Sequence, residues 1–455
     1  MHALLSGTLV SKAIPVPVPD QMLDVSVETL ASDAVHVLQE RLWHEQRDFV
    51  RARSAFYRRK LGPSLPVTLG LDALQDLPFT DKDELRASQE ACQPFGDYVA
   101  CDLDRIVRVH RTSGTTGRPL QLANSARDVR LIARVGGRAQ FAAGLRPGDR
   151  VVHCLNYCLW TGGVTDHMTL EETGACVVPF GTGNSTVLLQ TIVELGVTAI
   201  SCTPSYPALL EGLLRDAGKQ PRSLGLRLGL FGGEAGLDNP AFRNALQEVW
   251  GFAVRNANYG MSEVLSNFAS QCEHTDDLHF HGADALFVEI IDPEGSRQPI
   301  REGISGELVC THLAKECQPL IRFRTRDVVT VTATDACACG RTGWRFRVTG
   351  RTDDMFNVRG VNVFPAAVQQ AVFSRPDLAS GQFRIVLQGT GPWDRIPIRA
   401  EAAASLPAAA HEPAARELAE AVRRYTGASA EIALVPAGSL PRTAGKTALI
   451  ERTAP

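Results

Sequence analysis

The sequence carries little charge of either sign in excess: its formal net charge is -3 over 455 residues. Such a balance creates no field that would favour nucleic acid. Small anionic ligands are still allowed, because backbone dipoles bind them whatever the net charge. The chain also lacks any apolar run long enough to cross a bilayer. Its first residues, MHALLSGTLVSKAIPVPVP, have no early Lys or Arg, and Gly and Pro break their apolar stretches. That is a poor secretory signal, and it leaves a loose N-terminal arm and a cytoplasmic location as the default expectation. No internal repeat is visible. The cysteines number 11, an odd count in a chain with ample core, which argues against a disulfide framework. Cys154, Cys158, Cys176 and Cys202 stand in apolar surroundings and read as small buried hydrophobes.

What is present is ordinary for a globular protein: 44% hydrophobic and 21% charged residues, at a length that suggests two or three domains. Residues 30–60 repeat apolar positions (Leu38, Leu42, Phe49, Val50, Phe56) at roughly helical spacing, with Arg and Lys on the remaining face. In LPFTDKDELR, Thr80 reads as a helix N-cap, with Asp83 three residues on. From about residue 104, short β-branched runs alternate with amphipathic stretches. RVVHCLNY, ACVVPF, VTAISC and LRLGLFGG read as strands, and VLLQTIVELG and YPALLEGLLRDAG as helices. This alternation predicts an α/β domain with a largely parallel sheet and ligands at the strands' C-terminal ends. LFVEIIDPEGS, ISGELVCTHL and PLIRFRTRDVVTVT then read as strands of a β-rich section. After a polar GRTDD, the last hundred residues alternate strand and helix as a small α+β domain. Domains at 1–349 and 350–455 follow.

TSGTTGRP (112–119) follows the strand-like IVRVH. Gly114 and Gly117 permit close backbone approach, Thr115 and Thr116 offer hydroxyls, and successive amides in such a turn form an anion nest. The spacing is not that of a P-loop, and no Lys-Ser/Thr pair follows. By composition alone the turn also reads as an ordinary surface loop.

The wider string of motifs resembles the phenylacetate–CoA ligase family, within the superfamily of adenylate-forming enzymes. TSGTTGRP is similar to its phosphate loop, NYGMSE (258–263) to its aromatic-Gly-x-Ser/Thr-Glu motif and FRTRD (323–327) to its ribose-binding segment. GRTDDMFNVRGVNVFP (350–365) resembles its hinge, and PRTAGK (441–446) its C-terminal segment with the catalytic lysine. The match runs from about Leu38 to Lys446. The resemblance implies a large multi-subdomain adenylate-forming N-terminal domain and a small mobile C-terminal domain. It implies ATP-dependent activation of a carboxylic acid as its adenylate, with release of pyrophosphate, then transfer to coenzyme A.

The resemblance also implies residue roles. Ser113, Thr115 and Thr116 would face the phosphates on a cradle shaped by Gly114 and Gly117. Glu263 would hold Mg²⁺, a hard cation suited to a carboxylate. Tyr259 would stack on adenine, with Gly260 and Ser262 beside it, and Gly232, Gly233 and Glu234 would line the nucleotide site. Asp327 would accept from the ribose hydroxyls. Lys446 would stabilise the forming acyl-phosphate bond, and Gly445 would give the tail room. Asp353 marks the hinge, about which Arg359, Gly360 and Val361 would replace Lys446 beside a thiol tunnel. No cysteine nucleophile is needed.

Cys337-Ala-Cys339-Gly340 is a tight pair, with Cys272 and His279 further upstream. Two thiolates, a third Cys and a His could complete a tetrahedral structural Zn²⁺ site. The resembled branch often carries this arrangement. His281 and His274 are alternative ligands, and reduced, unliganded cysteines are the plain alternative.

NYCLWTGGVTDH (156–167) and SCTPSYP (201–207) resemble acyl-pocket segments. Trp160, Tyr157 and Phe180 would supply flat walls, and Gly162 and Gly163 room for a ring, favouring an aryl or arylacetyl acid. FGGEAG departs from the sequence expected beside a phenylacetate site. Transfer to a carrier-protein thiol or an amine is the competing outcome, and a non-catalytic nucleotide-binding protein the third. A homodimer is compatible with the resemblance.

Overall fold

The computed structural model describes residues 22–62, 65–112, 118–234, 236–389, 391, 393–440 and 449–453. The sequence-predicted site residues Ser113, Gly114, Thr115, Thr116, Gly117, Gly445 and Lys446 therefore lie outside the described residues.

The helical N-terminal stretch splits in two, at Ser32–Arg53 and Ala55–Leu61. Ser54 turns extended between them, and its hydroxyl accepts from the Tyr57 N–H at 3.3 Å, capping the second helix. The next helix, Lys82–Ala91, is capped by Asp81 in a capping box with Glu84 rather than by Thr80. Thr80 is committed elsewhere: its hydroxyl donates to the Ile321 carbonyl at 2.8 Å and its N–H to the Arg322 carbonyl at 2.9 Å.

Strands β1 (Ile106–Arg111) and β2 (Gln121–Ser125) pair antiparallel, one on each side of TSGTTGRP in the sequence. The Thr112 N–H donates to the Leu120 carbonyl at 3.1 Å, and the Leu120 N–H to the Thr112 hydroxyl at 3.0 Å.

The predicted parallel sheet is present. Strands β3 (Arg150–His153), β4 (Cys176–Pro179), β5 (Ala199–Cys202), β6 (Leu228–Gly232) and β7 (Ala253–Asn258) lie in the order β4-β3-β5-β6-β7, all parallel. Strands β5 and β6 are buried throughout, as strands covered on both faces must be. Strand β4 is an edge, which explains its tolerated Pro179 and corrects one sequence reading: Cys176 is exposed. Cys158 is exposed too, in the loop after β3, whereas Cys154 and Cys202 are buried as expected.

Seven further strands form one antiparallel sheet: β8 (Ala269–Ser270), β9 (Leu278–Phe280), β10 (Leu286–Ile291), β11 (Arg297–Gln298), β12 (Ser305–His312), β13 (Phe323–Ala333) and β14 (Arg345–Arg351). Strand β13 alternates buried and half-buried residues, so every second side chain, Arg324 and Arg326 among them, faces away from the core.

Beyond Arg351 the chain builds a separate core. The hairpin β15 (Phe356–Val358) and β16 (Val361–Val363) precedes the helix Pro365–Phe373. Strands β17 (Ala379–Gln388), β18 (Ile396–Ala402), β19 (Ala430–Val435) and β20 (Ile450–Thr453) then form a mixed sheet with the helix His411–Thr426. A large α/β body followed by a small α+β domain is the architecture expected. The two parts touch where the Phe242 ring stacks on Phe373, centroids 4.4 Å apart, and Asn239 donates to the Gln370 carbonyl at 2.7 Å.

Candidate active site

Strand β7 delivers its last residue, Asn258, to the C-terminal edge of the parallel sheet, and NYGMSE turns there. Tyr259 N–H donates to the Ala269 carbonyl at 2.8 Å, and Met261 N–H to the Leu265 carbonyl at 3.0 Å. A Cβ on Gly260 would stand 2.3 Å from the Ser266 carbonyl oxygen, so only glycine fits the turn. The Tyr259 ring sits edge-on to Phe268 and Phe346, with centroids 5.3 and 5.4 Å away. Its hydroxyl donates to Asp327 at 2.9 Å. Burial, then the Asp327 charge, pushes that hydroxyl's pKa well up, so it stays a donor.

Asp327 leads on to Arg351 and Asp353. Its second oxygen accepts from Arg351 at 2.5 Å, and Arg351 also donates to both oxygens of Asp353 at 2.9 and 3.0 Å. Tyr259, Asp327 and Asp353, read from three separate motifs, are thus joined by hydrogen bonds. Arg324 pairs with Glu307 through both nitrogens, at 3.0 and 2.6 Å, an ion pair of the sheet itself.

The same turn aims Glu263 at Lys82, with the ammonium 2.5 Å from the carboxylate oxygen and the Glu263 side chain only 9% exposed. Lys82 was not a candidate in the sequence. Its signal was positional: it opens a helix, where the dipole disfavours a cation. Glu263 supplies a hard oxygen of the kind Mg²⁺ takes, so the residue fits that ion.

On the opposite side, Ser262 and Thr161 share a hydroxyl hydrogen bond at 2.5 Å. A Cβ on Gly232 would lie 2.7 Å from the Asn258 Cβ, so the two strand ends pack closely. Gly233 follows at φ +81°, and Glu234 accepts from the Ser205 N–H at 3.2 Å. Arg359 and Gly360 make their described contacts inside the small domain: Arg359 with Asp394 at 3.1 Å, and the Gly360 N–H with Asn357 at 2.8 Å.

The segment after β3 packs beside these residues. The Trp160 ring lies over Gly162, where a Cβ would meet it at 2.6 Å, and comes within 3.7 Å of a Cβ built on Gly233. Tyr157 hydrogen-bonds His167 at 3.0 Å, and His167 reaches Glu171 at 3.1 Å. His153 is buried beneath them, hydrogen-bonded to Ser201 and the Gly162 and Gly163 carbonyls, each at 3.0 Å, and burial lowers its pKa to about 4. Phe180 packs instead against the apolar cluster of the parallel sheet.

Cys272, His279, Cys337 and Cys339 are all buried, with ligand atoms within 4.8 Å of one another. Sulfur to sulfur, Cys272 and Cys337 are 3.9 Å apart, and Cys339 Sγ lies 3.8 Å from His279 Nε2. A tetrahedron with Zn–S bonds of about 2.3 Å has edges of about 3.8 Å, so the donors fit that ion in type and spacing. His281 is engaged with Ser270 at 2.9 Å, and at His274 it is the backbone N–H that meets Cys272, so His279 is the fitting histidine.

The chain matches the family model described as AMP-binding enzyme over residues 28–312 and that of the AMP-binding enzyme C-terminal domain over 360–451. It is 33% identical to the phenylacetate–coenzyme A ligase of Thermus thermophilus, covering 93% of this chain and 97% of that one. To the Pseudomonas putida phenylacetate–coenzyme A ligase it is also 33% identical, over 94% and 96%. Among solved structures it is similar to 2-hydroxyisobutyryl-CoA ligase in the postadenylation state with 2-HIB-AMP: 30% identity, 97% and 94% coverage, TM-score 0.88. Against the same enzyme in its thioesterification state the TM-score is 0.70 at equal coverage, so the two parts of this chain are arranged as in the former. Fold, site and relatives together define an AMP-forming acid–thiol ligase. The chain belongs to the AMP-binding enzyme family, alongside the phenylacetate–CoA ligases.

Proposed function

We propose that the acid this ligase activates is an aryl or arylacetyl carboxylic acid, and that the acceptor is coenzyme A. The observation that carries the reading is the Trp160 ring lying against Gly162 and Gly233, with the next residue, Thr161, hydrogen-bonded to Ser262. It gives a flat apolar wall where the substrate carboxylate would have to approach the α-phosphate. The relatives named phenylacetate–coenzyme A ligase support this choice.

The first step joins two anions, so the chain's task is to place positive charge and donors around the developing negative oxygens. Lys446, with the amides and hydroxyls of 113–117, would do this at the phosphates. Asp327, oriented by Tyr259 and Arg351, would accept from the ribose. Glu263 would hold Mg²⁺, which when bound would offset phosphate charge. Structural Zn²⁺ would be held by Cys272, His279, Cys337 and Cys339, closed to substrate because all four positions are protein ligands. Domains 1–349 and 350–455 would move about Asp353, exchanging Lys446 for the face around Arg359 and Gly360.

A second reading is a small hydroxy acid. The polar edge formed by Tyr157 and His167 favours it, as does the 2-hydroxyisobutyryl-CoA ligase similarity. The test is a panel of phenylacetate, benzoates and short hydroxy acids with ATP, Mg²⁺ and coenzyme A. Acyl-CoA from the aromatic acids is expected. Turnover of hydroxy acids alone would establish the second reading. Acid-dependent pyrophosphate release without acyl-CoA would point to a carrier protein or amine.

A further inference from the structure

Cys101 and Cys317, which have no part in the proposed chemistry, bring their sulfurs within 2.7 Å of each other in a buried contact. At that separation one thiol donates to the other. The chain on either side is registered as well: the Ala100 N–H donates to the Cys317 carbonyl at 2.7 Å. With Ala123 the two sulfurs form a small apolar cluster, against which Phe95 and Ile106 pack.

The partners differ in access. Cys101 is 7% exposed and lines a cavity of about 390 Å³ together with Cys92, Pro94, Phe95, Val99 and Leu103. Cys317 is fully buried in the turn after β12. That turn is held by β2 and by Asp128 just beyond it. The Cys317 N–H donates to Asp128 at 2.9 Å, and Gln318 accepts from the Ala123 N–H of β2 at 2.8 Å.

We propose that Cys101 and Cys317 form a redox modification site that a peroxide converts into a reversible intramolecular disulfide. Cys101 lines the cavity while Cys317 is fully buried, so Cys101 is the sulfur a peroxide reaches; a hydrogen bond from the Cys317 thiol also lowers the Cys101 pKa against the opposing effect of burial. That hydrogen bond, burial and the Asp128 charge raise Cys317, which keeps its proton until the second step. The Cys101 thiolate attacks a peroxide oxygen; the O–O bond breaks, and a protonated hydroxide leaves as water. The resulting sulfenic sulfur is attacked by Cys317; the S–O bond breaks, and the departing hydroxide takes the Cys317 proton. Two thiols lose two hydrogens and two electrons in all, and one hydrogen peroxide becomes two waters. The bridge ties the approach to β1 to the turn that holds β2, on both sides of the Gly/Thr-rich loop. A thiol reductant reverses it.

The test uses the full chain, treated with stoichiometric hydrogen peroxide, alkylated and mapped by peptide mass spectrometry. The expected result is one linked pair containing Cys101 and Cys317, lighter by two hydrogens and restored by dithiothreitol. In C317S, dimedone should label Cys101 as a sulfenic acid; in C101S the linked pair should vanish. The wild-type mapping needs neither variant to fold. The proposal is overturned if both thiols remain free, if both go to sulfinic acids without linking, or if Cys272 and Cys337 link instead.

Discussion

The Lys82 ammonium lies 2.5 Å from the Glu263 carboxylate, joining the first residue of an N-terminal helix to the turn that follows β7. A cation at that helix end works against the dipole, and a carboxylate so nearly buried needs a partner, so each offsets the cost of the other. Glu263→Gln keeps the shape and removes the charge. It should lower acid-dependent pyrophosphate release by about a hundredfold, as loss of a group acting on transition-state charge does. Unchanged release at saturating Mg²⁺ would remove Glu263 from the mechanism.

Asp327 receives Tyr259 and Arg351 on its two oxygens, and the proposed ribose contact adds to these. Asp327→Asn should raise KM for ATP about tenfold to a hundredfold, the cost of losing hydrogen bonds to a charged acceptor, with kcat less affected. Steady-state kinetics with ATP varied checks this. A change confined to kcat speaks against ribose binding.

Much of the fold was legible in the sequence because it is written locally. Strands β5 and β6 are largely apolar runs, and the NYGMSE turn and the FRTRD start of β13 carry unusual residues side by side. What failed was long-range. Thr80 looks like a cap until Ile321 claims its hydroxyl, and Cys176 looks like core until β4 proves to be an edge. Arg351, a basic residue in a polar stretch, has no signal of its own, and Lys82 has only its place at a helix start. Their significance comes from Glu263, Asp327 and Asp353, which the fold brings to them.

Metal content is a separate test. Purified without chelator, the chain should hold about one zinc, and Cys337→Ser should lower both the zinc content and the unfolding temperature. Elemental analysis and a thermal melt read both. Below about 0.2 zinc per chain, the four-donor cluster is a set of reduced thiols.

The Phe242–Phe373 stack joins the two parts in the arrangement resembling the postadenylation state. Stacked aromatic pairs contribute about 0.5–1.5 kcal/mol beyond their buried area. Phe242→Ala should therefore slow adenylation several-fold while leaving thioester formation from supplied acyl-adenylate nearly unchanged. Single-turnover assays separate the halves, and equal slowing of both would mean that the ring only supports the fold.

The most direct measurement is acid-dependent pyrophosphate release and AMP formation by wild type and Lys446→Ala, with ATP binding followed in parallel. Wild type should give AMP, pyrophosphate and acyl-CoA in equal amounts, and the variant should lose at least about a hundredfold in adenylation while binding ATP almost as well. Near-normal release by the variant, or ADP and phosphate as the wild-type products, would contradict the account.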